Sequence, residues 1–138
     1  VELQDEVYEQ IVELCSQGDE LVNNGEFEEA IELYSNALDL IPEPKIIWEA
    51  STWVYTALRD THFFIENYEV AMNFLYDALN CPDGMGNPFI LLRLGECLYE
   101  LGEVSKSKEY LLRAYVLEGY SIFQSEDDKY FQVIINEI

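Results

Sequence analysis

Apolar residues recur along this chain at three-and-four spacing in seven stretches, the pattern of helices that each bury one face. The pattern predicts helices over about 2–24, 27–41, 45–65, 68–80, 87–101, 104–118 and 126–138. The punctuation agrees with it. Gly25 and Gly102 sit where a helix must end in a tight turn, and Pro42 and Pro82 stop the helix that follows such a turn. Pro44 suits the first turn of the third helix. Cys81-Pro82-Asp83-Gly84-Met85-Gly86-Asn87-Pro88 reads as a turn-rich loop. Ser125-Glu126-Asp127-Asp128 reads as an N-cap followed by acids that favour a helix start.

Six of these helices fall into three pairs that repeat. Ala30, Ala71 and Ser107 take one slot, and Ala37, Ala78 and Ala114 take another seven residues on. Tyr34, Leu75 and Leu111 fill the large apolar slot between them, while Phe27, Tyr68 and Val104 precede the first slot by three. Small residues at matched slots let two helices approach closely. One pair cannot bury its apolar face alone, so the pairs must stack, and a stack needs covering at its ends. The last segment, with Tyr130, Phe131, Val133, Ile134 and Ile138, is suited to that cover. The repeats lie 41 and then 36 residues apart, because residues 44–51 add about two turns ahead of the second pair.

Segments such as Gly25-Glu26-Phe27-Glu28-Glu29-Ala30 through Ala37-Leu38-Asp39-Leu40-Ile41-Pro42, and Leu91-Leu92-Arg93-Leu94-Gly95-Glu96-Cys97-Leu98-Tyr99-Glu100-Leu101-Gly102, resemble the tetratricopeptide repeat, whose period is about 34 residues. The resemblance covers roughly residues 11–118. It implies an all-α, right-handed superhelical stack of three helix pairs plus a C-terminal capping helix. The chain then reads as one domain, with repeats at about 11–44, 45–84 and 87–119 and a capping helix at about 126–138.

Charge narrows the function. Twenty-eight acids face seven bases, for a net charge of −21, and residues 1–44 contain no Lys or Arg. Nucleic acid and anionic membrane both require basic patches, so neither is an expected partner. The acids either keep a helical protein soluble or draw in a basic protein. No apolar run reaches the length of a membrane span. The opening residues, Val1-Glu2-Leu3-Gln4-Asp5-Glu6, are acidic, unlike the basic-then-apolar start of a secretory signal. Cys15, Cys81 and Cys97 show no CxxC spacing and have one histidine for company, which makes a poor metal set. They read as reduced, mostly buried thiols of a cytoplasmic protein.

Catalysis finds little support. His62 is the only histidine, has no nucleophile near it in sequence, and falls on a slot that the repeat fills with a packed aromatic. Gly84-Met85-Gly86 lacks the lysine and the preceding strand of a phosphate loop. A non-enzymatic binding module without metal or cofactor is expected.

The resemblance also implies where a partner sits, because ligands of the family lie mainly along the first helix of each repeat. Those positions are Val12, Cys15, Asp19, Val22 and Asn23, then Trp53, Thr56, Asp60, Phe63 and Phe64, then Phe89, Leu92, Glu96, Tyr99 and Glu100. Asp19, Asp60 and Glu96 share one slot, flanked by aromatics, a combination that suits Lys and Arg side chains. The competing reading is that the aromatics are packed beneath neighbouring helices and the acids only solvated. Family members that grip acidic chaperone tails use a basic and asparagine clamp. Its slots here hold Cys15, Asp19, Ala57, Phe89 and Arg93, and only Arg93 fits, so that function is not expected.

A further resemblance lies in Leu79-Asn80-Cys81-Pro82-Asp83-Gly84, Asn87-Pro88-Phe89, Arg113-Ala114-Tyr115 and Glu126-Asp127-Asp128-Lys129-Tyr130-Phe131. These phrases are similar to small bacterial tetratricopeptide proteins of toxin–immunity loci. They imply an acidic immunity-type inhibitor of a basic toxin. The alternative is a scaffold or adaptor module that binds peptides, and self-association stays open beside both.

Overall fold

The computed structural model describes residues 3–81 and 84–138. Seven α-helices follow one another among them: α1 (Asp5–Asn23), α2 (Phe27–Leu40), α3 (Glu49–Phe64), α4 (Tyr68–Leu79), α5 (Pro88–Glu100), α6 (Val104–Glu118) and α7 (Asp128–Ile134). Short 3-10 turns lie at Lys45–Ile47, Gly119–Phe123 and Ile135–Glu137. Helix α1 packs on α2, α3 on α4 and α5 on α6; α2 against α3 and α4 against α5 join the pairs. The architecture is the all-α right-handed stack of three helix pairs that the repeat implies, closed by α7.

The matched small residues make the close approach. Ala30, Ala37, Ala71, Ala78, Ser107 and Ala114 are all fully buried, and Tyr34, Leu75 and Leu111 lie between them in the core. In the first and third pairs a glycine lies opposite the large residue. A Cβ on Gly18 would lie 2.6 Å from the Tyr34 ring, and one on Gly95 would lie 2.6 Å from Leu111 Cγ. The Ser107 hydroxyl donates to the Gly95 carbonyl at 2.7 Å, which fixes the third crossing. In the second pair Arg59 stands in the slot that holds Gly18 and Gly95 in the others, just before Asp60. Its side chain turns towards α5, where Nη1 donates to the Phe89 carbonyl at 3.2 Å.

Each pair turns through the same hydrogen-bonded corner. Glu26 N–H donates to Leu21 O, Asn67 N–H to His62 O and Glu103 N–H to Leu98 O, all at 2.8 Å. This is the six-to-one bond of a Schellman C-cap, and it needs a left-handed residue. Gly25 (φ 79°) and Gly102 (φ 84°) supply it in the outer pairs; Glu66 (φ 63°) takes it in the middle one.

Four expectations are corrected. The first helix starts at Asp5, and Glu2 lies outside the described residues, as does the stop assigned to Pro82. The helix expected over 45–65 is split. Lys45–Ile47 form a 3-10 turn, Trp48 is extended, and α3 begins at Glu49. The cause is a set of bonds back to the end of α2: Lys45 Nζ donates to Leu38 O and Ile41 O, and Trp48 Nε1 donates to Pro42 O. The last helix is also shorter than expected, with Asp127 rather than Ser125 as its N-cap, accepting from Lys129 N–H at 3.0 Å. Gly119–Phe123, unassigned by the sequence pattern, is a 3-10 turn that buries Ile122 and Phe123.

Two stability changes follow from these packing features. Gly95→Ala overpacks the α5–α6 crossing and lowers stability by about 2 kcal/mol, whereas Gly86→Ala, which meets nothing within 4 Å, changes it by less than about 0.5 kcal/mol. Glu66→Gly relieves the left-handed conformation and raises stability by about 0.5 kcal/mol. Chemical denaturation monitored by helical circular dichroism reads both.

Candidate partner-binding groove

Helices α1, α3 and α5 lie side by side and present one face away from their partners. Residues spaced four, three and four apart share a stripe on such a face. The stripes run Tyr8, Val12, Cys15 and Asp19 on α1, then Glu49, Trp53, Thr56 and Asp60 on α3, then Phe89, Leu92 and Glu96 on α5, with Met85 just ahead of them in the preceding turn. Neighbouring stripes touch: the Tyr8 and Trp53 rings meet edge-on at 5.8 Å. Tyr8, Val12, Trp53 and Phe89 are 42–59% exposed, so this face carries apolar surface open to solvent. A cavity of about 420 Å³ opens between α3, α5 and the segment leading into α7, lined by Thr56, Phe89, Leu92, Ile122 and Ser125 with charged groups around them.

Those charges form one cluster. Arg93 Nε meets Asp60 Oδ1 at 3.2 Å, and Nη1 meets both Glu96 Oε1 and Glu126 Oε1 at 2.9 Å. The Phe63 ring backs the guanidinium at 4.5 Å. Arg59 Nε reaches the same Asp60 oxygen at 3.0 Å. Burial pushes Arg59 down and the adjacent Asp60 pushes it up; on Arg93 burial is outweighed by Glu96, Asp60 and Glu126, so it is held above its ordinary value. Glu96 is fully buried, with Oε2 lacking a hydrogen-bond partner. Burial first, and the neighbouring Glu126 carboxyl second, push it up to about 9. It is therefore protonated at neutral pH, and two guanidinium charges face two carboxylates.

The cluster changes the reading of the acids. Asp19, Asp60 and Glu96 do not stand as three free charges. Asp19 is exposed and accepts from the Tyr34 hydroxyl at 2.5 Å. Asp60 is neutralised by the chain's own arginines. Glu96 is not on the groove surface, because Arg93 draws it inward from three residues away.

The remaining expected positions divide similarly. Trp53 and Phe89 face the open groove, and Asn23 is exposed at the end of α1. Phe63 lies under Arg93 with its edge against Tyr68, and Phe64 packs on Phe27 across the first repeat boundary. Tyr99 and Glu100 are covered by the cap: Tyr130 meets the Tyr99 ring edge-on at 5.7 Å and donates to Glu100 at 3.1 Å, and Lys129 Nζ lies 2.6 Å from the same carboxylate. Sequence reasoning missed Arg59, Glu126 and Tyr8. Extending the α1 stripe by one turn finds Tyr8, but no local signal brings Glu126 to Arg93 across 33 residues.

The candidates for chemistry are tied up. His62 is half-buried and stacked on Phe74 at 5.6 Å, and burial pushes it down. Burial pushes the thiols of Cys15 and Cys81 up to about 11 and that of Cys97 up to about 12, far from a reactive thiolate. No group of acids, cysteines or histidine suited to a metal occurs among the described residues, and no helix there is long and apolar enough to cross a membrane.

A stack of paired helices with an open face on the first helix of each pair defines the helical-repeat class. Residues 14–44 match the sequence model of the tetratricopeptide repeat, and the chain as a whole has the tetratricopeptide fold. It is similar to the C-terminal TPR-containing domain of a Plasmodium falciparum FK506-binding protein, with a TM-score of 0.80 at 18% identity over 99% of this chain and 93% of that one. The Yersinia enterocolitica type III secretion chaperone SycD, solved with a peptide of the translocator YopD, gives 0.72 at 17% identity over 96% and 93%. The second TPR domain of human RPAP3, solved with the HSP70 peptide SGPTIEEVD, gives 0.71 at 17% over 92% and 93%. No curated protein matches by sequence.

The raised Glu96 carboxyl predicts a pH dependence. Unfolded, Glu96 loses its proton near the ordinary carboxylate range. Between that range and about 9 the folded chain holds one proton more, so stability falls by up to about 1.4 kcal/mol per pH unit. Glu96→Gln, which keeps the neutral shape, is expected to flatten this slope between pH 5 and about 9 and to be the more stable protein at the alkaline end, as read by denaturation series on both proteins.

Proposed function

We propose that this chain is a non-catalytic protein-binding module of the scaffold or adaptor type, which takes a segment of its partner along the face built by α1, α3 and α5. The observation that carries the reading is the exposed apolar surface of Tyr8, Val12, Trp53 and Phe89 beside a cavity of about 420 Å³. Tetratricopeptide folds solved with HSP70 and translocator peptides support it. Arg93 is already held by three carboxyls, so grip on acidic chaperone tails is not part of the proposal.

The net charge of −21 favours a narrower form, in which the partner is basic and the module neutralises it as an immunity protein neutralises a toxin. A cytoplasmic site of action, with its thiols reduced, belongs to the same proposal.

The test is partner capture with two kinds of variant. Thr56→Trp fills the cavity and Phe89→Ala removes the exposed ring; each is expected to abolish or weaken capture at least tenfold. Val116→Ala, at an 80% exposed position on α6, is expected to leave it unchanged. Loss with Val116→Ala and retention with the groove pair would assign binding to the other face.

A further inference from the structure

The two halves of the groove treat their aromatics differently. In the C-terminal half the chain supplies its own cations. Arg93 lies over Phe63 at 4.5 Å and pairs with Asp60, and Lys129 lies over Tyr130 at 5.2 Å and pairs with Glu100. In the N-terminal half the same components recur. Tyr8 and Trp53 form an edge-on pair about 45% and 42% exposed, Glu49 lies one turn before Trp53 on the same stripe, and Asp19 is exposed further along α1. Among the described residues no cation lies over either ring, and none pairs with Glu49 or Asp19. The surrounding residues 1–44 carry thirteen Asp and Glu and no Lys or Arg.

We infer that the N-terminal half of the groove is a docking surface for a cationic segment of the partner, with one Lys or Arg side chain lying across Trp53 and Tyr8 towards Glu49 and a second, about 16 Å further along α1, meeting Asp19. The inference rests on the groove reading above and adds the partner's chemistry and its place. The geometry suits it in two ways. Two rings meeting edge-on at 5.8 Å leave the indole and phenol faces available to an aliphatic stem and its charged head. The field of the base-free segment raises the local concentration of a cation before contact. The C-terminal half would take no such side chain, because its carboxylates already hold arginine and lysine.

The experiment uses the full chain and a synthetic Arg-Gly repeat peptide, with a Glu-Gly peptide of equal length as control, followed by tryptophan emission in a Trp48→Phe background and by calorimetry. Saturable one-to-one binding of the Arg-Gly peptide with a change in Trp53 emission is expected, weakened by salt. Trp53→Ala and Tyr8→Ala should each weaken it by roughly tenfold, and Asp19→Asn with Glu49→Gln should reduce its salt dependence. Val116→Ala, on the other face, should leave the affinity within about twofold. All five side chains are exposed, and matching helicity and thermal midpoint would confirm that each variant folds. Binding of the Arg-Gly peptide that ignores Trp53 and Tyr8, or equal binding of the Glu-Gly peptide, overturns the inference. A captured partner that needs Thr56 and Phe89 but not Trp53 overturns it as well, while leaving the groove reading intact.

Discussion

Arg93 joins α3, α5 and the entry to α7 at a single guanidinium. From α5 it reaches Asp60 on α3, Glu96 on its own helix and Glu126 at the entry to α7, with Phe63 against its face. Each contact alone is modest. Together they enclose a guanidinium, and a buried charge survives only when its partners are complete. Three carboxyls converging on one arginine would leave an excess of negative charge, and with Arg59 shared by Asp60 the excess is one carboxyl. The structure meets it by keeping Glu96 neutral. In an acid-rich chain the protonated acid is the least costly way to close such a cluster, because the whole molecule's field also favours the proton.

The packing of the helix pairs was legible from the sequence because it is local and periodic. Alanine and serine at matched slots marked the crossings, and glycines marked two of the three corners. The third corner, at Glu66, carries the same hydrogen bonds without the marker, since stacking of the pairs imposes the left-handed residue there whatever its side chain. Arg59 in the glycine slot is the companion case: the register located the position, but which way a long side chain leaves a crowded slot depends on the neighbouring repeat.

The candidate site was legible as a list of positions and not as a distribution of charge. Helical spacing placed Asp60, Glu96, Trp53 and Phe89 on the right helices. Whether an acid on that face is free depends on where seven bases go in three dimensions. Arg93 to Glu96 is a spacing that sequence can show; Arg93 to Glu126 and Lys129 to Glu100 arise only when α7 folds back over α5. The same return covers Tyr99 and explains why expected groove residues at the C-terminal end are occupied.

Ile122, Ser125 and Glu126 form one wall of the groove cavity, and they belong to the segment after the last repeat. The opposite walls are fixed by helix stacking, where one methyl group is felt. This wall answers to few of those constraints. Change in that terminal segment can reshape what the cavity admits while every helix crossing stays as it is, so the recognition properties of the module can diverge faster than its fold.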